Sequence, residues 1–238
     1  MERREVFITG GTGYIGRRLI AALAARGHRV LALARTQSLA RVPDAATPVI
    51  GNALDAASFA AAIPAGSTVV HLVGTPHPSP AKAAEFERID LVSVRAAVAA
   101  ATQAHAGHFV YVSVAQPAPV MQAYVAVRAA AEAALAASGL TATVLRPWYV
   151  LGPGHWWPLS LLPAYAVALL LPGSRATALR LGLVTLPQMV RALVCAVEQP
   201  PAAGATRVLD VPAIRGTKTA GGRNADQRRR AGILPLYR

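Results

Sequence analysis

The chain predicts a doubly wound α/β fold: a parallel sheet between helical layers, with a small substrate-side lobe toward the C-terminus. Three observations lead there. Short runs rich in Val, Ile and Leu alternate with Ala-rich stretches at the spacing of βαβ units. Most of these runs are continuously apolar, as expected of strands covered by helices on both faces. The first run ends in a glycine cluster that opens a helical pattern. The 238 residues are 54% hydrophobic and only 5% aromatic, enough for one large core built on small aliphatic side chains.

The elements follow in order. EVFITG (5–10) reads as the first strand, and a helix from about Tyr14 to Arg26 stops at Gly27, a favoured C-terminal cap. HRVLALAR (28–35) is the second strand and TPVIG (47–51) a short third. A helix is expected over 55–63, ending before Pro64. STVVHLVG (67–74) is the fourth strand, with a long helix from about Ala81 to Ala104. HFVYVSV (108–114) is the fifth, followed by a helix from about Val120 to Ala137 that Gly139 terminates. TATVLRP (141–147) is the sixth strand. Right-handed crossovers then produce the doubly wound sheet.

After Pro147 the composition shifts to Pro, Trp and Leu, and residues 156–172 carry no charge. Pro158 and Pro163 interrupt this run, so a buried substrate-side segment is favoured over a membrane-facing lip. A final helix starts near Pro187 with Thr185 as its cap, and TRVLDV (206–211) is the last strand. The domain is taken as 1–214, with the lobe mainly at 148–205. The Gly/Arg-rich segment 215–238 holds seven of the basic residues against one acid and reads as a disordered basic tail. It is the source of much of the net charge of +13, which weakens that charge as a sign of nucleic-acid binding.

The glycine cluster carries the first functional signal. Read from Gly11 it is G-x-G-x-x-G; read from Thr9 it is T-G-x-x-G-x-x-G. In either frame an early glycine permits the tight turn, Gly13 lets backbone approach a pyrophosphate, and Gly16 lets the helix pack closely. The helix N-terminus then offers N–H groups to the phosphates. Its place after a strand and before a helix is the context that makes the motif specific, and no Lys-Ser/Thr follows to suggest a P-loop. Thr9, Gly10, Gly11, Thr12, Gly13, Tyr14, Ile15 and Gly16 are thus the first candidate cofactor residues. At the end of strand two, where an NAD site places an acid, stands Arg35, with Thr36, Ser38 and Arg41 nearby. A guanidinium there can hold a 2′-phosphate, so NADP(H) is expected, NAD(H) being the alternative.

TGGTGYIG, HLVG, the YVSV strand, Y-x-x-x-R and LRPWYVLGP together resemble an extended or atypical short-chain dehydrogenase/reductase, of the NAD(P)H-binding, NmrA-like or complex-I-accessory-like kind, over about residues 4–212. The resemblance implies further cofactor contacts. Asn52 and Ala53 stand where an Asp often meets adenine, and an amide can hydrogen-bond to a base edge. Val73, Gly74 and Thr75 would line ribose and pyrophosphate, and Pro147 to Val150 the nicotinamide.

The catalytic pattern of that superfamily is Ser with Tyr-x-x-x-Lys. Here it becomes Tyr124 and Arg128, one helical turn apart, with Ser113 one or two residues ahead of the usual serine position. Arg128 keeps the charge of the Lys but cannot release a proton. The chemistry therefore stays open between two readings. One is an NADP(H)-dependent oxidoreductase acting on an apolar carbonyl, enone or quinone-like compound; the other is a non-catalytic NAD(P)H-binding redox sensor or structural subunit.

His77, in the loop after strand four, and Trp148, His155 and Trp156, after the sixth strand, are candidate substrate contacts, with core packing as the alternative for the last two. The histidines show no metal-ligand spacing with Cys195 or the carboxylates, so no metal is expected. No G-x-S-x-G supports a hydrolase. One cysteine and no apolar leader after MERRE lead to the expectation of a reducing cytoplasm. The expected partner is a small-molecule substrate, not nucleic acid or membrane, and monomer and homodimer both remain open.

Overall fold

The computed structural model describes residues 2–118 and 120–217. Its chain order is β1 (Glu5–Thr9), α1 (Tyr14–Ala24), β2 (Arg29–Ala34), β3 (Thr47–Ile50), β4 (Thr68–His71), α2 (Ala83–Glu85), α3 (Val92–Gln103), β5 (His108–Val112), α4 (Gln122–Ala137), β6 (Ala142–Leu145), β7 (Tyr149–Leu151), α5 (Leu162–Leu170), α6 (Pro172–Arg180), β8 (Leu183–Thr185), α7 (Leu186–Glu198), β9 (Thr206–Leu209) and α8 (Val211–Gly216). Seven strands form one sheet in the order β3-β2-β1-β4-β5-β6-β9, and every neighbouring pair is parallel. This is the doubly wound sheet the apolar runs predict.

Alternation along each strand divides the core into two layers, because successive side chains point to opposite faces. Val6 and Ile8 of β1 join Leu19 and Leu23 of α1 and Met189 and Leu193 of α7. Phe7, between them, joins Val94 and Ala97 of α3 and Leu135 of α4 on the other face. Full burial of each such side chain contributes about 1.5–3 kcal/mol, and both helical layers draw on the same strands.

Four expectations are corrected. The helix foreseen over 55–63 is two short 3₁₀ turns, Ala56–Ser58 and Ala60–Ala62. Phe59 breaks between them to stack on Phe7, 5.9 Å away, and so few residues before Pro64 cannot repay helix nucleation. The long helix of 81–104 holds a π-helical turn over Phe86–Leu91 between α2 and α3, which buries both Phe86 and Asp90. The lobe is smaller than 148–205. Met189, Leu193 and Val197 of α7 lie in the main core, so α7 belongs to the sheet; Val184 of β8 reaches the same core, and the β7–β8 pair joins it to α5 and α6, the rest of the lobe. Finally, residues 215 and 216 close α8, whose N-cap Asp210 accepts from the Ala213 N–H. The proposed tail thus begins inside a helix, and 218–238 lie outside the described residues.

The cap at Thr185 is a full capping box: its hydroxyl accepts from the Gln188 N–H, and the Gln188 side chain accepts from the Thr185 N–H. At the other end of α7, Glu198 receives Arg26 at 2.5 Å and His28 at 3.3 Å. Burial alone would raise the Glu198 pKa, but these two partners hold it below the ordinary carboxylate value.

Candidate cofactor and active site

Strand order reverses at β1, with β2 on one side and β4 on the other, so a crevice opens beyond their carboxyl ends. The loop from β1 to α1 forms its floor. Gly10 adopts φ +77°, and a Cβ there would meet the Leu72 carbonyl carbon at 2.8 Å. A Cβ on Gly16 would stand 2.3 Å from the Gly10 oxygen, so only glycine lets the first turn of α1 sit against the loop. Gly13 caps α1 without a side-chain hydrogen bond, and no acid occupies the first turn, which leaves the positive helix end free for an anion.

Two hollows share Gly10, Gly13, Leu72, Val73 and Gly74 as walls and make one continuous groove across the glycine loop. The first, about 400 Å³, is lined by Thr12, Arg35, Ser38, Arg41, Asn52 and Ala53. Arg41 donates to the Ser38 hydroxyl at 2.7 Å, and Asn52 uses its side-chain oxygen to accept from the Leu54 N–H at 3.1 Å. Two guanidiniums at this end, with no carboxylate in the lining, suit a phosphate. The second hollow, about 360 Å³, is lined by Tyr14, Ile15, Gly16, Thr75, His77, Ser113, Tyr124, Arg128, Pro147, Trp148, Val150 and His155.

Three predicted residues lie elsewhere. Thr9 is fully buried and bonds through its hydroxyl to His71 Nδ1 at 2.8 Å, which makes it a core residue beneath the loop. Gly11 is buried against Ala32 and Ile20. Trp156 is 53% exposed and outside both hollows.

Behind the polar wall of the second hollow, formed by Thr75 and Arg128, stands a residue that sequence reading missed. Asp90, fully buried on the π-helical turn, binds Arg128 at 2.6 Å and accepts from both the N–H and the hydroxyl of Thr75, at 2.9 and 2.6 Å. Arg128 also donates to the Tyr111 hydroxyl at 3.2 Å and to the Val112 carbonyl at 3.1 Å. Its guanidinium lies 4.9 Å from the Tyr124 ring centroid, over the ring, while Phe86 meets the same ring edge-on. Burial pushes the Tyr111 hydroxyl up to about 12, against the pull of Arg128. His71 is lowered to about 3, first by burial and then by the Arg128 charge, so it stays neutral. No sequence signal singled out Asp90, which stands among Glu85, Glu87 and Arg88 in the helical run after β4.

Ser113 follows the last residue of β5 instead of lying within the strand. Its backbone N–H bonds to the Leu145 carbonyl at 2.8 Å, while its buried hydroxyl has no hydrogen-bond partner among the described residues. The Tyr14 hydroxyl is likewise buried and unpartnered, fitted into the space a Gly152 Cβ would fill. The Tyr14 ring packs on His155 at 4.5 Å, and His77 meets His155 at 5.7 Å. Orphaned hydroxyls in the lining, a glycine cradle and a cationic far end together fit an extended dinucleotide that ends beside Ser113 and Tyr124.

No cluster of three metal-ligating side chains exists among the described residues.

Comparison with known proteins agrees with this geometry. The chain is 31% identical over 170 residues to a 4-hydroxy-2-methyl-3-oxo-4-farnesyl-3,4-dihydroquinoline-1-oxide ketoreductase of Stigmatella aurantiaca, covering 62% of this chain and 51% of that protein. It is 32% identical over 173 residues to a ceramide reductase of Caulobacter vibrioides, covering 71% and 54%. The chain thus spans about half the length of these relatives. Among solved structures, a Bordetella bronchiseptica enzyme in complex with NAD+ superposes with a TM-score of 0.64 at 24% identity, covering 100% of this chain and 84% of that one. The chain also shares its fold with a short-chain dehydrogenase/reductase superfamily protein from Agrobacterium tumefaciens (TM-score 0.62, 18% identity, covering 89% of this chain and 81% of that one). The family described as NAD(P)H-binding matches residues 10–152, so the chain belongs to that family.

Proposed function

We propose that the protein is an NADP(H)-dependent oxidoreductase that acts on an apolar carbonyl, enone or quinone-like small molecule. The observation that carries this reading is the single groove, with Arg35 and Arg41 at one end and Ser113 and Tyr124 at the other. Between them the glycine loop holds the pyrophosphate. Arg35 binds a 2′-phosphate in a fork that NAD(H) cannot use. A nicotinamide at the far end supplies a hydride to an electrophilic carbon. Ile15, Val112, Val114, Pro147, Trp148 and Val150 give that end apolar walls, which suit an apolar substrate. The two relatives are named a ketoreductase of a farnesylated dihydroquinoline oxide and a ceramide reductase, and those names support an apolar substrate for this chain.

The Ser113 hydroxyl donates to the substrate oxygen, and the Tyr124 hydroxyl delivers the proton. Arg128 holds its charge in the Asp90 pair and passes no proton, so Tyr124 regains its own from water in the cleft. The test follows NADPH oxidation at 340 nm (roughly where the reduced nicotinamide absorbs) across apolar ketones, enones and quinones. Turnover that falls roughly 100-fold or more in Tyr124→Phe supports the reading; unchanged turnover removes Tyr124 as the acid.

A second reading has its own observation. Arg128 is buried in an ion pair at the position where a catalytic Lys would serve, which suits a protein that binds NADP(H) without turning it over. Tight NADPH binding with no oxidation across the whole panel selects this redox sensor or structural subunit.

A further inference from the structure

The lobe carries a face that the cofactor groove does not use. Helix α5 has the sequence LPAYAVALL, with no charged residue. At 100° per residue its exposed positions, Leu162, Pro163, Ala166, Val167, Leu169 and Leu170, fall on one side. Tyr165 turns the other way, and its hydroxyl donates to the Leu181 carbonyl. A helix on a protein surface ordinarily presents its polar side to water. Here Leu170 is 83% exposed, Val167 59% and Leu162 50%, and Leu171 extends the patch toward α6.

The stretch of chain that forms this face carries charge of one sign. No Asp or Glu occurs between Glu132 and Glu198, an interval that holds Arg146, Arg175, Arg180 and Arg191. Arg146 is paired with Glu132, but Arg175 is exposed on α6, which packs on α5. A second copy of the chain seated on the same face would set Arg175 against its own copy, and residues 162–180, which form the face, hold no carboxylate to answer it, because a two-fold contact pairs a patch with itself. An anionic surface answers both features.

We propose that the α5–α6 face docks on anionic lipid bilayers, with α5 lying in the interfacial plane and its apolar side at the boundary of headgroups and acyl chains. Apolar area and cationic charge are the two signals that together make such peripheral contact stable, either alone being marginal. The contact does not span: α5 rises about 13.5 Å, and no helix among the described residues is long and apolar enough to cross a membrane. The loops that lead into the lobe contribute Trp148 and His155 to the groove. An apolar substrate then enters from the bilayer; that last step rests on the proposed function, whereas docking does not.

The test is co-sedimentation of the full chain with phosphatidylcholine vesicles, with and without phosphatidylglycerol. The expected result is binding selective for the anionic vesicles. It falls roughly tenfold or more in the Leu162→Ser, Val167→Ser, Leu170→Ser variant, weakens in Arg175→Glu and with added salt, and survives removal of residues 218–238. The triple variant is exposed on the substituted face, and an unchanged melting temperature and NADPH affinity in solution show that its fold and groove are intact. Any of four results overturns the proposal: no binding to anionic vesicles, equal binding by the triple variant, loss of binding on tail removal alone, or a dimer in solution that the triple variant dissociates. Failure of the cofactor assignment shows separately, as absent NADPH affinity in the unaltered chain.

Discussion

Arg128 and Asp90 sit 5% and 0% exposed, so each charge is tolerable only because the other is present. Removing one partner leaves a buried charge. Arg128→Ala is expected to cost about 3–5 kcal/mol of stability, measured by urea unfolding. A double variant, Arg128→Met with Asp90→Leu, should recover much of that loss; if the two single changes simply add, the pair is not coupled. His71 makes a pH prediction. In the unfolded chain it takes up a proton as pH falls through its ordinary 6.5, but in the fold only near 3. Stability is therefore complete above 6.5 and is lost as pH falls between those values, by about 1.4 kcal/mol per pH unit where the slope is steepest. His108, lowered to about 4 chiefly by burial and then by Arg207, adds to the same loss. Urea midpoints at pH 7 and pH 5 check this, and a His71→Asn variant should show the shallower dependence.

At the scale of elements, α1 and α7 carry opposite kinds of signal. The start of α1 depends on the absence of atoms: Gly16→Ala places a methyl within 2.3 Å of the Gly10 oxygen and is expected to abolish NADPH binding and lower the melting temperature. The start of α7 depends on a side chain: Thr185→Ala opens the capping box and should cost about 1 kcal/mol without altering cofactor affinity. Calorimetry and fluorescence titration on the two variants separate these effects. Both helix starts were legible in the sequence because caps and tight turns are written within four or five residues. The π-helical turn was not, since no residue type marks it and only the burial of Phe86 and Asp90 reveals it. The helix foreseen at 55–63 failed for a related reason: Phe59 gains more from the core against Phe7 than from continuing a short helix.

For the whole molecule, the groove joins residues from the loops after β1 and β4 with others from α1, β2, β5, α4 and the lobe, so ligand binding should stabilise the fold as a unit. Saturating NADPH at about 100 times its dissociation constant is expected to add about 2.7 kcal/mol. NADH should add less at equal concentration, and Arg35→Ala should erase the difference by weakening NADPH roughly tenfold. Thermal shift with both dinucleotides decides it; equal shifts in the unaltered chain would remove the NADP(H) preference.

The sequence by itself determined the order of strands and helices, the parallel sheet, the glycine cradle and the arginine at the end of β2. Each of these is encoded by period, composition or backbone freedom over a short span. Tertiary structure decided the rest. It paired Arg128 with Asp90 across 38 residues, turned Thr9 inward to His71 and moved α7 from the lobe into the core. It also left the apolar side of α5 open to solvent. Such outcomes depend on which strands become neighbours and which faces find cover, and no local pattern specifies that until the sheet has closed around it.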